Sequence, residues 1–329
     1  ETSTGFMHLY LYGIDQGLLQ PITRGEWEVT DFIGLRGNEV YYISTETSPL
    51  RRDLYRIGLD GKRKERLTPG DGYYSIYPSA DLSYYICEGG NSSAPGRTDI
   101  YNASGKRLRT LYDNAALKES LAESSLPTRE FFTFTTERGD ELNGYMLKPL
   151  DFDPAKRYPV LLTQYSGPGS QQVNDTWDPD WEDALASHGY IVVCVDPRGT
   201  GYRGEEFKKL TYGRLGALEV EDQISTARYM ARQSWVDPAR IGIYGWAYGG
   251  FMALGCAFKG EGLFKMAIAV APVTSWRYYD SIYTENFNGL PEDYPKGYDD
   301  NSPINFADLF RDDRTRLLII HGTADDNVH

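Results

Sequence analysis

Short apolar strands separated by polar, glycine-bearing turns fill the first third of the chain. Leu9-Tyr10, Leu54-Tyr55 and Ile100-Tyr101 each open one such strand. A turn follows each (Ile14-Asp15, Leu59-Asp60-Gly61, Ala103-Ser104-Gly105), and then a second strand near Pro21-Ile22-Thr23, Arg66-Leu67-Thr68 and Arg109-Thr110-Leu111-Tyr112. The interval is 45 and then 46 residues, with further strands expected at 39–44 and 83–87. Four short strands every ~45 residues is the pattern of β-propeller blades, because each blade is one small antiparallel sheet. A closed ring takes roughly 4–8 blades, and residues 1–113 hold two and a fraction, so the repeat predicts a piece of a longer chain. A small free-standing sheet is the alternative.

The pattern changes after that. Residues 114–126 read as a linking helix, and 127–329 alternate continuous apolar strands with helices. A hairpin is expected at 130–135 and 142–147 across Arg138-Gly139-Asp140, with strands at 158–163, 190–195, 264–270 and 316–320 and helices at 181–188 and 216–233. Strands that are apolar on both sides predict a parallel sheet covered by helices on both faces. Ligands in such sheets gather at the carboxyl ends of the strands.

One strand end carries more than packing. Ile241 and Ile243 lead into Gly245-Trp246-Ala247-Tyr248-Gly249-Gly250, and a small-residue helix is expected over 248–258. Glycines two before and two after a central residue, between strand and helix, form the layout of a nucleophile elbow. The centre sits in a strained conformation, and neighbouring Cβ atoms would collide with the turn. Here the centre is Ala247, which keeps the Cβ of a serine and lacks its oxygen. The bland alternative is that these glycines serve helix–strand packing alone. After the strand ending at Thr163 comes Gln164-Tyr165-Ser166-Gly167-Pro168, where the Tyr165 hydroxyl can donate to an oxyanion without carrying charge. The Tyr248 amide, directly after position 247, is the second candidate donor. Asp325 follows the last strand, in the chain order that a triad acid requires. Taken singly, Tyr165 reads as a packed aromatic and Asp325 as a turn former. Trp276, Tyr279 and Tyr283 are spaced to share one helical face, as core or as the wall of a flat apolar pocket that suits a pyrrolidine ring.

Composition narrows the partners. Net charge is −13, which argues against nucleic acid or an anionic membrane surface. No apolar run reaches the ~20 residues of a membrane span. The three cysteines, Cys87, Cys194 and Cys256, have neither disulfide-framework nor metal-ligand spacing, so neither metal nor cofactor is expected. Few cysteines fit a periplasmic or otherwise exported protein, or a cytosolic one, better than a disulfide-rich ectodomain; export is favoured. Sequons at Asn91, Asn102 and Asn174 carry little weight at this chain length.

Together, Tyr165-Ser166-Gly167-Pro168, Arg198-Gly199-Thr200-Gly201-Tyr202, Leu215-Gly216 with Glu219-Val220-Glu221-Asp222-Gln223, the elbow, Ala269-Val270-Ala271-Pro272-Val273 with Trp276 and Tyr278-Tyr279-Asp280, and His321 to His329 resemble the dipeptidyl-peptidase members of the prolyl oligopeptidase family of serine peptidases. The resemblance extends back to Thr23-Arg24-Gly25-Glu26-Trp27-Glu28-Val29 and so covers nearly the whole chain. It implies an α/β-hydrolase preceded by the last blades of a β-propeller, and release of N-terminal dipeptides with Pro or Ala second from peptides with a free amine. It implies that Ala247 stands at the nucleophile position, Asp325 at the triad acid, and Tyr165 with the Tyr248 amide at the oxyanion. Tyr248, Val273, Trp276, Tyr279 and Tyr283 match the proline pocket, and Asn327 matches a residue that contacts the substrate carbonyl. The family's histidine and its amine-binding glutamates are expected outside these 329 residues, as is the surface of a homodimer. The expected activity is therefore a serine exopeptidase, inactive with Ala247. A non-catalytic binding protein, or an acyl-peptide hydrolase or esterase of the same fold, are the alternatives. Intact Tyr165, aromatic pocket and Asp325 favour a silenced enzyme, because unselected sites drift.

Overall fold

The computed structural model describes residues 1–329 and divides into two compact units. The first comprises Glu1–Ser125, Asn174–Pro179 and Tyr202–Glu206; the second comprises Leu126–Val173, Asp180–Gly201 and Phe207–His329.

The first unit is built from β-propeller blades. It begins with a hairpin of β1 (Tyr10–Gly13) and β2 (Gly17–Pro21). Two four-stranded antiparallel sheets follow. One is β3 (Val29–Arg36), β4 (Glu39–Ser44), β5 (Asp53–Gly58) and β6 (Glu65–Arg66) in sequential order. The other is β7 (Tyr73–Pro78), β8 (Tyr84–Gly90), β9 (Arg97–Asn102) and β10 (Arg107–Tyr112). The 45-residue interval is thus the step between equivalent third strands, β1, β5 and β9. Side chains alternate across each strand, and both faces of β4 are covered. Val40 and Tyr42 join Ile22, Val29, Tyr55 and Ile57, while Tyr41 and Ile43 join Leu54, Tyr85 and Tyr101. This explains why Val40-Tyr41-Tyr42-Ile43 reads as an unbroken apolar run. Helix α1 (Ala115–Glu123) closes the unit with no buried residue.

The second unit has an α/β-hydrolase fold. Its elements are β11 (Glu130–Thr135), β12 (Glu141–Leu147), β13 (Tyr158–Thr163), α2 (Trp181–Ser187), β14 (Ile191–Asp196), α3 (Glu205–Lys209, whose first two residues belong to the first unit), α4 (Ala217–Ala231), β15 (Val236–Trp246), α5 (Tyr248–Lys259), β16 (Met266–Val270), α6 (Ser281–Asn288), α7 (Pro295–Asp299) and β17 (Arg316–Ile320). The seven strands lie in the order β11-β12-β14-β13-β15-β16-β17. From β14 to β17 every pairing is parallel. β14, whose six residues are all buried, sits where its continuous valines require.

The hairpin expected at 130–135 and 142–147 forms as β11–β12, and together with the antiparallel β12–β14 pairing it makes this edge of the sheet mixed. Leu318 and Ile320 on β17 are half exposed and, with Leu161, Tyr244, Met266 and Ile268, line a cavity of about 860 Å³. No helix is long and apolar enough to cross a membrane.

Candidate active site

Parallel register brings the carboxyl ends of the central strands level. Thr163 of β13 pairs with Tyr244 of β15, Trp246 with Val270 of β16, and Val270 with Ile320 of β17. The chain leaves β13, β15 and β16 through a backbone conformation that side chains rarely adopt. Ser166 has φ 69°, Ala247 φ 56° and Ala271 φ 41°. Strain of this kind costs of order 1–3 kcal/mol per residue and persists only where the surroundings impose it.

At position 247 they do. With φ 56° and ψ −111°, Ala247 turns β15 into α5. Its N–H donates to the Val270 carbonyl at 2.9 Å, and its own carbonyl accepts the Phe251 amide at 3.0 Å. The glycines around it are sterically required. A Cβ on Gly245 would lie 2.2 Å from the Gly249 carbonyl oxygen, one on Gly249 2.3 Å from the Gln164 carbonyl oxygen, and one on Gly250 2.6 Å from that of Val270. The elbow is pressed against the neighbouring strand ends by bare backbone.

The Gln164 contact holds the Tyr165 loop to the elbow. The Gln164 side-chain amide donates to the carbonyls of Gly249 (2.9 Å) and Tyr244 (3.3 Å), and its oxygen accepts the Ser166 hydroxyl at 2.8 Å. Gln223 of α4 donates in turn to Ser166 Oγ and to the Val195 carbonyl. Between these buried anchors the Tyr165 ring is half-buried, 5.9 Å from the Tyr248 ring.

An aromatic wall adjoins the elbow. Tyr248, Val273 and Trp276 are buried in the main core, with Tyr279, Tyr283 and Phe287 packed against it. Trp276 stacks on Tyr283 at 6.3 Å and meets Tyr248 at 5.6 Å; Tyr279 meets Tyr283 edge-on at 5.4 Å. The expectation of one continuous helical face is corrected. Trp276 lies in a single 3-10 turn, Tyr279 is extended, and Tyr283 lies in the separate α6. Ser275 caps the first turn, and Asp280 caps the second by accepting the Tyr283 amide. Two N-caps within six residues restart the chain direction, yet the rings converge.

Beyond β17, Asp325 Oδ1 accepts the amides of Asn327 (3.1 Å) and Val328 (3.0 Å). These bonds to the charged form hold its carboxyl below the usual range. Its other oxygen lies 3.8 Å from His321 Nδ1. Val328 is buried in the same core as Tyr248 and Trp276, and the Tyr279 hydroxyl donates to Asn327 Oδ1 at 3.3 Å. The segment carrying Asp325 is therefore tied to the aromatic wall.

Sequence reasoning names Gln164, Glu219 and Gln223 without giving any of them a role. Glu219 has no exposed surface. It accepts the Tyr248 hydroxyl at 2.6 Å and the Gly216 amide at 2.9 Å, and burial pushes its carboxyl up to about 7. A glutamate three residues past the glycine that starts α4 is a readable cap signal, but its tie to Tyr248 is tertiary. The three cysteines are free and buried, and no group of His, Cys, Asp and Glu side chains is placed to hold a metal.

Comparison with known proteins adds the following. Residues 177–329 match the family described as the prolyl oligopeptidase family, and residues 1–95 match the dipeptidyl peptidase IV N-terminal region. The chain is similar to dipeptidyl peptidase 4 of Porphyromonas gingivalis in its crystal structure, with 44% identity and a TM-score of 0.95 over 100% of this chain and 46% of that one. It is 39% identical to the Emericella nidulans protein named "Probable dipeptidyl peptidase 4", over 99% of this chain and 43% of that protein. To dipeptidyl-aminopeptidase B of Aspergillus niger it is 40% identical, over 99% of this chain and 37% of that protein. The chain thus spans less than half the length of the relatives it matches.

Proposed function

The chain belongs to the prolyl oligopeptidase family, as a dipeptidyl peptidase IV relative, and from that premise we propose that its parent is a serine exopeptidase removing N-terminal dipeptides with Pro or Ala second. With a serine at position 247, the hydroxyl oxygen attacks the carbonyl carbon of the substrate's second residue while a histidine takes its proton. The negative charge that develops on the carbonyl oxygen meets the Tyr165 hydroxyl and the Tyr248 amide. Collapse breaks the C–N bond, the histidine returns its proton to the leaving amine, and water then hydrolyses the acyl-enzyme. Asp325, carrying charge in the working pH range, orients that histidine. Tyr248, Val273, Trp276, Tyr279 and Tyr283 enclose the penultimate side chain, and Asn327 faces the substrate carbonyl. None of the four histidines in this chain is given the catalytic role, and the full-length protein is read as a homodimer.

The observation that carries this reading is the strained elbow at Ala247, whose flanking Gly249 lies in backbone contact with the Tyr165 loop. Such a corner costs stability and persists only where its surroundings impose it. The missing oxygen favours a second reading, a non-catalytic binding protein. One experiment separates them: Ala247→Ser in the full-length chain, offered Gly-Pro and Gly-Ala chromogenic amides. Turnover of the Pro amide supports the peptidase. Peptide binding without turnover supports the binding protein, and turnover of acyl esters with rejection of free-amine dipeptides points to an acyl-peptide hydrolase or esterase.

A further inference from the structure

A fully buried carboxyl is costly unless its charge is paired or its oxygens are well hydrogen-bonded. Glu219 is such a group, in the first turn of α4. The buried guanidinium of Arg198, which a carboxylate on this helix could use, is taken by Asp222 through contacts of 2.7–3.0 Å. What Glu219 has instead is the Gly216 amide on one oxygen and the Tyr248 phenol on the other. Capping α4 requires only the first of these, and a glutamate at this position can cap while leaving its other oxygen in water. Here the second oxygen is turned inward, onto a residue 29 positions away.

Tyr248 is the residue next to the nucleophile position and the first of α5. The first amides of a helix have no carbonyl of their own to bind, so its N–H remains available to the site. Its side chain lies between Phe251 (5.2 Å), Trp276 (5.6 Å) and Tyr165 (5.9 Å), and ends on Glu219. The residue is therefore held at its phenol end while the adjoining backbone passes through the φ 56° corner. The peptide between Ala247 and Tyr248 is held on its carbonyl by the Phe251 amide, and the phenol anchor is a second hold, on the Tyr248 side of the same plane.

We propose that Glu219 is a positioning residue which, by anchoring the Tyr248 phenol, fixes the direction of the Tyr248 N–H toward the developing oxyanion. The inference rests on the peptidase reading above and extends it: Glu219 touches no substrate and acts on transition-state binding, with little effect on ground-state binding. Burial holds the Tyr248 phenol well above its usual range, so it remains a donor throughout the working pH range. Tyr165, Tyr283 and Asp222 are the other titratable groups that face the pair.

The test uses the full-length Ala247→Ser protein and two inhibitors. One is a dipeptide boronic acid with proline at the boron, whose tetrahedral adduct with the restored serine carries an oxygen at the oxyanion position. The other is an aminoacyl pyrrolidine amide, which fills the pocket without forming an adduct. A smaller folded fraction weakens both inhibitors by the same factor, so the ratio of the two affinities reads the site alone. Losing one oxyanion donor outright costs about 10²–10³, so loss of its anchor is expected to cost part of that. Glu219→Leu and Tyr248→Phe should each weaken the boronate by roughly 10-fold or more while the amide changes less than about threefold. The double variant should be no worse than either single, because the two act as one unit. Glu219→Gln, which can still accept the phenol, should recover most of the loss. Boronate affinity unchanged in Tyr248→Phe, or equal weakening of both inhibitors, overturns the proposal. Tyr248→Phe keeps the ring and its packing, so the test stands even where Glu219→Leu fails to fold. A parent that binds neither inhibitor overturns the peptidase reading, and this inference with it.

Discussion

Gly249→Ala tests whether the elbow is built by backbone contact. Its Cβ would lie 2.3 Å from the Gln164 carbonyl oxygen, where real Cβ contacts essentially never fall below 3.0 Å. The two segments must therefore part by at least 0.7 Å. Neither can do so by turning a side chain, because one is the first turn of α5 and the other is the backbone directly after β13, whose last residue is paired in register with β15. Overpacking of this kind costs ~1–3 kcal/mol, and the absence of a soft neighbour puts this site in the upper half of that range. For a unit of this size each kcal/mol moves the melting temperature by about 2–4 °C, so a drop of roughly 4–12 °C is expected. The functional loss should be larger than the stability loss. Gln164 precedes Tyr165, and displacement by about 1 Å at a reacting centre costs on the order of 10² in rate. The assay pairs thermal melting of this chain with kcat on a Gly-Pro amide in the full-length Ala247→Ser background. Gly322→Ala is the control, since its Cβ would meet nothing closer than 3.8 Å. If Gly249→Ala melts with the control and retains its kcat, the contact does not build the site.

Four further outcomes follow from the same geometry. Tyr165→Phe in the restored-serine protein should lower kcat by about 10²–10³ with little change in KM, since a lost oxyanion donor acts in the transition state; a rise in KM at constant kcat would instead make Tyr165 a pocket residue. Asp325→Asn should lower kcat by roughly 10⁴, as for other triad acids, and an effect under tenfold would remove Asp325 from the triad. Ala247→Gly should raise stability by about 1 kcal/mol, because relief of ~1–3 kcal/mol of strain exceeds the ~0.5–1 kcal/mol entropic cost of a glycine; destabilisation in a denaturant titration would contradict the strain reading. Glu219 makes stability depend on pH. Its folded carboxyl is raised from 4.5 to about 7, so its contribution is fully present below 4.5 and is lost as pH rises through about 7. At about 1.4 kcal/mol per unit, Glu219→Gln should gain roughly 3 kcal/mol relative to the parent between pH 4 and pH 8, read from paired denaturation curves. Parallel curves at the two pH values would mean that Glu219 is already ionised in the fold.

The parts of the molecule legible in the sequence are those whose cause is local. A blade repeats because each strand alternates and each turn needs its glycine, so the interval between Leu9, Leu54 and Ile100 is visible without tertiary knowledge. The elbow is visible for the same reason, since glycines two residues either side of position 247 answer to a steric demand within one turn. Where causes compete, the periodicity misleads. Trp276, Tyr279 and Tyr283 keep helical spacing across a break that Ser275 and Asp280 impose, and the N-cap preference of those two residues is the signal that should have outweighed it.

Chain order alone could suggest that Tyr165, Ala247 and Asp325 serve one chemistry; it could not place them at one edge. That depends on register. A one-residue slip of β13 against β15 would turn every β13 side chain to the other face. The Gln164 carbonyl would then leave Gly249, and the Gln164 side chain would leave the carbonyls of Tyr244 and Gly249. The bare glycines and the buried glutamine are therefore complementary, since the glycines let the strand ends approach and Gln164 makes only one approach favourable. The same division recurs one layer deeper, where Gly216 opens α4 and Glu219 reaches back to bind its amide and the phenol of the elbow's first helical residue. In both places the glycine's reason lies in its own turn, while the reason for the tertiary contact of Gln164 or Glu219 lies in the segment that side chain meets.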